Sequence, residues 1–181
     1  MDEQLSKARA GEPAALAALV RAQQRSVYSL ALRMLGTRDL AEDLTQDVFM
    51  EMNDHLTAID SWEHLTFWLR RVTTHRAIDQ LRRRSRVDIT PLDDAAECVS
   101  NDVEADPLWQ RHLQLLLAKL TPDARAVVLL RYQEDLDPVD IGQTLDMPIN
   151  TVKSHLKRSL EFMRRSLKGA AAELRREDQS T

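Results

Sequence analysis

The chain has 181 residues, a formal net charge of −4 from 25 Lys and Arg against 29 Asp and Glu, and a single cysteine, Cys98. That length holds one ordinary domain or two small ones, and one cysteine excludes an internal disulfide and a multi-cysteine zinc site. Four glycines and a wealth of Leu, Ala, Arg, Gln and Glu favour helices over sheet, while no stretch approaches the roughly 20 apolar residues of a membrane span and the start MDEQLSKARAGEP has no signal-peptide core, so a cytoplasmic protein is expected.

Residues 13 to 35 have a helical apolar stripe of Leu16, Leu19, Val20, Val27, Leu30 and Met34. Gly36 ends it, and Thr37 is placed to cap the next helix. That second helix, about Arg38 to His55, puts Ala41, Leu44, Val48 and Met52 on one face. From Asp39 to Asp60 there are seven acids and no Lys or Arg. The helix dipole accounts for Asp39 and in part for Glu42, but not for Asp47, Glu51 and Asp54. Such a face repels nucleic acid, so it points to protein or to solvent, and Phe49 among the acids is a ready apolar anchor for a partner.

A break over Thr57 to Ser61 precedes a long helix, about Glu63 to Arg84, with Leu65, Leu69, Val72 and Leu81 as candidate core. Its later part is strongly basic: Arg70 to Arg86 holds seven arginines against one acid, Asp79. Asp79 is spaced to pair with Arg76, Arg82 or Arg83 along the helix. Trp62, Phe67 and Trp68 lie near the start. Arginines beside aromatics suit a separated nucleic-acid strand, whose phosphates take the charge while bases stack. The alternative is that Phe67 and Trp68 are core and the arginines a solvated face. The three helices can make one small bundle.

Val87 to Asp106 has seven acids, no Lys or Arg and no apolar period, as a flexible acidic linker would. Asp106-Pro107, Thr121-Pro122 and Asp137-Pro138 then repeat a helix-start signature of cap followed by proline. With a last helix from near Pro148, four compact helices are expected. Pro138 to Leu145, the break Asp146-Met147-Pro148 and the following helix have the layout of a helix-turn-helix. Ile149, Val152, Leu156, Leu160 and Met163 recur every three or four residues and are expected to face inward. Asn150, Lys153, Ser154 and Lys157 then face outward, where they suit base edges and phosphates of a major groove. A solvated helix in an ordinary bundle is the plainer alternative. Ile149 to Lys168 holds six Lys or Arg against one acid, Glu161.

A net-negative chain binds a polyanion only through local patches, and here there are two, separated by an acidic segment. No HExxH, Walker, GxGxxG or nucleophile-elbow pattern occurs, and the five histidines are scattered. No catalytic residue, metal ligand or cofactor is implied, and the chain is not expected to be an enzyme.

LGTRDLAEDLTQDVF (Leu35 to Phe49), FWLRRVTTHRAIDQLRRRSR (Phe67 to Arg86), LTPDARAVVLLRY (Leu120 to Tyr132) and IGQTLDMPINTVKSHLKRSL (Ile141 to Leu160), in this order and spacing, resemble the bacterial extracytoplasmic-function sigma factors. TVKSHL alone is shared with LuxR-type regulators; the first two strings together are far more specific. The resemblance implies an all-α chain of two small helical domains: sigma domain two at about 12–86, a flexible acidic linker at 87–106, and a helix-turn-helix sigma domain four at 107–170. It implies that Asp39, Glu42, Asp43, Leu44, Gln46, Asp47 and Phe49 dock on the clamp helices of the largest subunit of core RNA polymerase. It implies that the loop from Thr57 to Glu63 and Trp62, Arg71, Thr74, His75, Arg82 and Arg83 hold the melted −10 strand. It gives the −35 promoter DNA to Asn150, Thr151, Lys153, Ser154, Lys157 and Arg158, and the polymerase's RNA channel to the linker. An anti-sigma factor is a further candidate partner. The chain departs from the family where His75 replaces a frequent Asn, Leu65 a frequent Phe, and Asp146 and Asn150 frequent glycines. Two other readings stay open: a LuxR-like regulator using only the C-terminal helix-turn-helix, and a module that binds polymerase or an anti-sigma without starting transcription.

Overall fold

The computed structural model describes residues 1–87 and 107–177, which are helical throughout apart from short connections. The chain divides into two compact units, Met1–Val99 and Ser100–Thr181. The acidic segment 87–106 lies outside the described residues, save Val87, which ends a helix.

Unit 1 contains α1 (Asp2–Arg9), α2 (Pro13–Leu35), α3 (Arg38–His55), a 3-10 turn (Leu56–Ala58) and α4 (Trp62–Val87). Pro13 opens α2, and Gly36 closes it at φ 83, its N–H returning to the Leu32 carbonyl. Glycine enters that left-handed region without the Cβ penalty other residues meet. Thr37 occupies the cap position of α3, but its hydroxyl accepts no cap hydrogen bond and is buried. The anticipated stripes form most of the core, although Leu16 and Val20 of α2, expected in it, are only half-buried. Leu19, Val27, Leu30 and Met34 of α2 pack with Ala41, Leu44, Val48 and Met52 of α3 and Leu65 and Leu69 of α4. Val72 and Leu81 are only half-buried; the later core of α4 is Thr73, Thr74, Ala77 and Ile78. Both threonines tolerate full burial because their hydroxyls bond back along the helix, Thr73 to the Leu69 carbonyl at 2.7 Å and Thr74 to that of Arg70 at 2.7 Å.

Unit 2 contains α5 (Pro107–Ala118), α6 (Pro122–Tyr132), α7 (Pro138–Thr144) and α8 (Ile149–Glu177). The middle of α6, from Ala124 to Leu130, is buried, including Arg125. The Arg125 Nε–H donates to the Leu117 carbonyl at 2.9 Å, near the end of α5, and so ties α5 to α6. Burial draws the Arg125 guanidinium down to about 10, still well above neutral pH.

The turn between α7 and α8 depends on one close approach. The Met147 N–H donates to the Gly142 carbonyl at 2.9 Å, and Asp146 sits at φ 52. A Cβ on Gly142 would stand 2.8 Å from the Met147 carbonyl oxygen, a backbone atom that moves only with the turn. Gly142→Ala is therefore expected to destabilise unit 2 by about 1–3 kcal/mol, read as an earlier urea or thermal transition. An unchanged transition would contradict this account of the turn.

Candidate nucleic-acid and partner interfaces

The outer face of α3 is acidic with an apolar furrow beside it. Asp39, Glu42, Asp43, Gln46 and Asp47 are exposed, whereas Leu44 is 4% exposed and belongs to the core. Leu44 is thus corrected from a contact residue to one that supports the face from beneath. At 100° per residue, Asp39, Asp43, Gln46 and Met50 fall opposite the core stripe. Leu16 of α2 with Gln46, Phe49, Met50, Asn53 and Asp54 of α3 line a shallow groove of about 450 Å³. Phe49 is half-buried there, and Met50 is 61% exposed. Met50 and Asn53 had not been singled out, although they continue the Gln46 row at helical spacing.

Two acids that the helix dipole leaves unexplained have a partner across the bundle. The Arg76 guanidinium of α4 forms ion pairs with Asp47, at 3.7 Å, and with Glu51, one turn apart on α3. Arg76, one of three arginines spaced to meet Asp79 along α4, therefore reaches across to α3. All three side chains are partly exposed, so each pair adds little stability, about 0–1 kcal/mol. Their main effect is to fix how the acidic face meets the arginine helix.

On α4, His64, Trp68, Arg71, His75 and Arg82 recur at helical intervals and share one side. His64 joins this row unforeseen. Trp68 is half-buried, neither a pure core residue nor a free stacking platform, and its ring meets the His55 ring at 5.6 Å and 34°. Trp62 is half-buried, and Arg82 and Arg83 are exposed. Thr74 is 0% exposed, with its hydroxyl on the Arg70 and Arg71 carbonyls. It is corrected from a strand contact to a core residue, because the helical turn that aligns Arg71 with His75 carries Thr74 inward.

In unit 2, Asp137 caps α7 by accepting the N–H groups of Val139 at 2.7 Å and Asp140 at 2.9 Å. The inner faces of α7 and α8 meet through Ile141, Thr144, Leu145 and Val152, and Ser159 is also buried. Ile149, expected inside, is 38% exposed. Helical side chains tilt toward the N-terminus, so at the first position of α8 it projects past the packed surface. Leu156, Leu160 and Met163 are half-buried. Asn150, Thr151, Lys153, Ser154, Lys157 and Arg158 are all exposed on the second helix of the helix-turn-helix. The Ser154 hydroxyl donates to the Asn150 carbonyl at 2.8 Å, leaving its oxygen lone pairs outward.

Residues 19–87 match Sigma-70 region 2, and residues 110–163 match Sigma-70, region 4. The chain belongs to the extracytoplasmic-function (ECF) sigma factors. It is 33% identical over 154 residues to the ECF RNA polymerase sigma factor SigE of Mycolicibacterium smegmatis, an alignment covering 81% of this chain and 59% of that protein. It is 25% identical over 179 residues to the ECF RNA polymerase sigma factor SigW of Bacillus subtilis, covering 92% and 96%. The fold is similar to the sigma factor RpoE solved in complex with the anti-sigma factor NepR from Bartonella quintana, with TM-score 0.69, 20% identity, and 82% and 94% of the two chains covered. As a sigma factor the chain is a transcription initiation factor, a partner of core RNA polymerase and of promoter DNA. The region 2 match covers the half of the sigma factor that a LuxR-like regulator leaves unexplained, so that reading is not favoured. Among the described residues no helix is long and apolar enough to cross a membrane.

Proposed function

We propose that the three exposed faces divide the work of initiation among them. Asp39, Glu42, Asp43, Gln46 and Asp47, with Phe49 and the groove beside it, dock on the clamp helices of the largest polymerase subunit. The loop ahead of α4, with Trp62, Arg71, His75, Arg82 and Arg83, holds the melted −10 strand. Asn150, Thr151, Lys153, Ser154, Lys157 and Arg158 read the −35 duplex. Domain two spans about 12–86 and domain four about 107–170. The acidic stretch 87–106 runs through the RNA channel, where its charge imitates RNA. Nothing in this mechanism is covalent: it is selective binding, carried out in the cytoplasm where polymerase works. A sigma factor of this kind is also open to capture by an anti-sigma factor.

The observation that carries this reading is in unit 1. One small bundle presents an acid-and-apolar face on α3 and a basic, aromatic row on α4, with Arg76 bridging the two helices. A protein that only bound DNA would gain nothing from the first face, which repels phosphate.

Each DNA contact is small, the whole chain is net negative, and two linked sites add affinity only where their spacing is held to match that of the target. The acidic segment lowers the potential near both patches within a Debye length of about 8 Å. The free sigma factor is therefore expected to bind its promoter poorly and to bind it tightly once core polymerase holds the domains at promoter spacing. A gel-shift titration at physiological salt, with and without core, tests this. Tight, sequence-specific binding by the isolated chain would overturn it in favour of the LuxR-like reading.

A further inference from the structure

Helix α1 lies ahead of residue 19, where the region 2 match begins, and none of the roles proposed above uses it. It is nevertheless built into unit 1, with Leu5 fully buried and Ala8 nearly so. Its Asp2 Oδ1 accepts the backbone N–H of Trp62 at 2.7 Å, across 60 residues of chain. Trp62 is the first residue of α4, so its N–H is one of the donors a helix start leaves without an intrahelical partner. A carboxylate there also meets the positive end of the helix dipole.

Other ties hold the same loop. The His64 N–H donates to Ser61 Oγ at 3.1 Å, and the Asp60 N–H to His64 Nδ1 at 3.3 Å. Leu56 and Ile59 are buried, while Thr57, Ala58 and Asp60 are exposed. The loop is thus anchored at alternate points and presents the residues between them in a set pose. Of these polar ties, only the one from Asp2 comes from outside the loop and α4.

We propose that Asp2 is a positioning residue for −10 recognition: by fixing the backbone at Trp62 it sets the pose in which the loop accepts unpaired bases. The inference rests on the strand-holding reading given above. A site that tells bases apart does so by holding its polar groups where the right base pairs them and the wrong one leaves them unpaired. Loosening the exit of the loop lets both bases settle, and the difference between them shrinks. Asp2 is itself exposed and negative, so it acts through Trp62 and not by attracting the strand.

The test uses the full chain tagged only at its C-terminus, reconstituted with core polymerase. Wild type, Asp2→Ala and Asp2→Asn are compared at two promoters that differ in a single −10 base, and core affinity is measured in parallel. Asp2→Ala is expected to keep core affinity within about twofold and to lower the ratio of transcript from the two promoters by about fivefold, the factor matching the ~1 kcal/mol of a lost N-cap. Asp2→Asn keeps an oxygen acceptor and is expected to restore most of the ratio. An unchanged ratio in Asp2→Ala overturns the inference, even where both transcripts fall together, because that outcome is fold stabilisation alone. An Asp2→Asn protein that behaves like Asp2→Ala overturns it too, since the hydrogen bond would not be the cause. Failure of the wild type to initiate at either promoter sinks the strand-holding reading and this inference with it, whereas wild-type initiation with an unchanged Asp2→Ala ratio sinks the inference alone.

Discussion

Replacing Asp39 and Asp43 together by lysine is expected to weaken binding to core RNA polymerase by roughly 30-fold or more while the fold stays intact. Both carboxylates are exposed on the face of α3 opposite its core stripe. Their loss removes the charge that steers a basic partner surface, and the new lysines set like charges against it, which costs about several kcal/mol at a close interface. Asp47 is the wrong position for this experiment. It pairs with Arg76, so reversing it also disturbs the junction of α3 with α4. Competition binding against labelled wild-type protein, with circular dichroism as the folding control, measures the effect. A double variant that binds core like the wild type would remove the acidic face from the polymerase contact.

Lys153→Ala and Lys157→Ala are expected to damage promoter binding by the assembled holoenzyme in one of two recognisable ways. Both side chains are exposed on α8, so truncation leaves the core that Val152 anchors untouched. A lysine that neutralises a phosphate takes about 0.9 units off the slope of log affinity against log salt, and weakens all sequences alike. One that contacts a base edge instead costs about 1–3 kcal/mol at a single −35 position and relaxes the preference there. A salt titration on a set of −35 variants separates the two. Variants matching wild type in slope and in sequence preference would return this face to ordinary solvent.

Local signals explain why so much of this fold is legible in the sequence. Pro13 and Gly36 bracket α2, the Asp137-Pro138 pair starts α7 with a true side-chain cap, and the stripe from Ala41 to Met52 is buried as a face. These are properties of adjacent residues and helical period, which a sequence displays directly. Helix α1 leaves little signal in the sequence because its 8 residues carry only two buried side chains, and its stability comes from packing on α2. Leu44 and Thr74 were misplaced for a related reason. A motif assigns a role to a whole string, but a helix turns some of its residues into the core. The Arg76 pairs with Asp47 and Glu51, and the reach of Asp2 to Trp62, join residues far apart in the chain. No periodicity reports contacts of that kind. The outward set Asn150, Lys153, Ser154 and Lys157 is legible because one amphipathic helix decides it, whereas Ile149, expected inward, is exposed at the helix end.

Whether unit 1 and unit 2 together convert polymerase into a promoter-selective enzyme complex is best tested by run-off transcription with purified core. Core alone, the free protein alone and the two together are compared on a matched set of promoters, intact or altered at the −10 or −35 element. The account predicts a specific transcript only when both proteins are present, and its loss when either element is altered. A protein that binds core yet yields no specific transcript from any promoter in the set, or one whose transcripts ignore both elements, would contradict it.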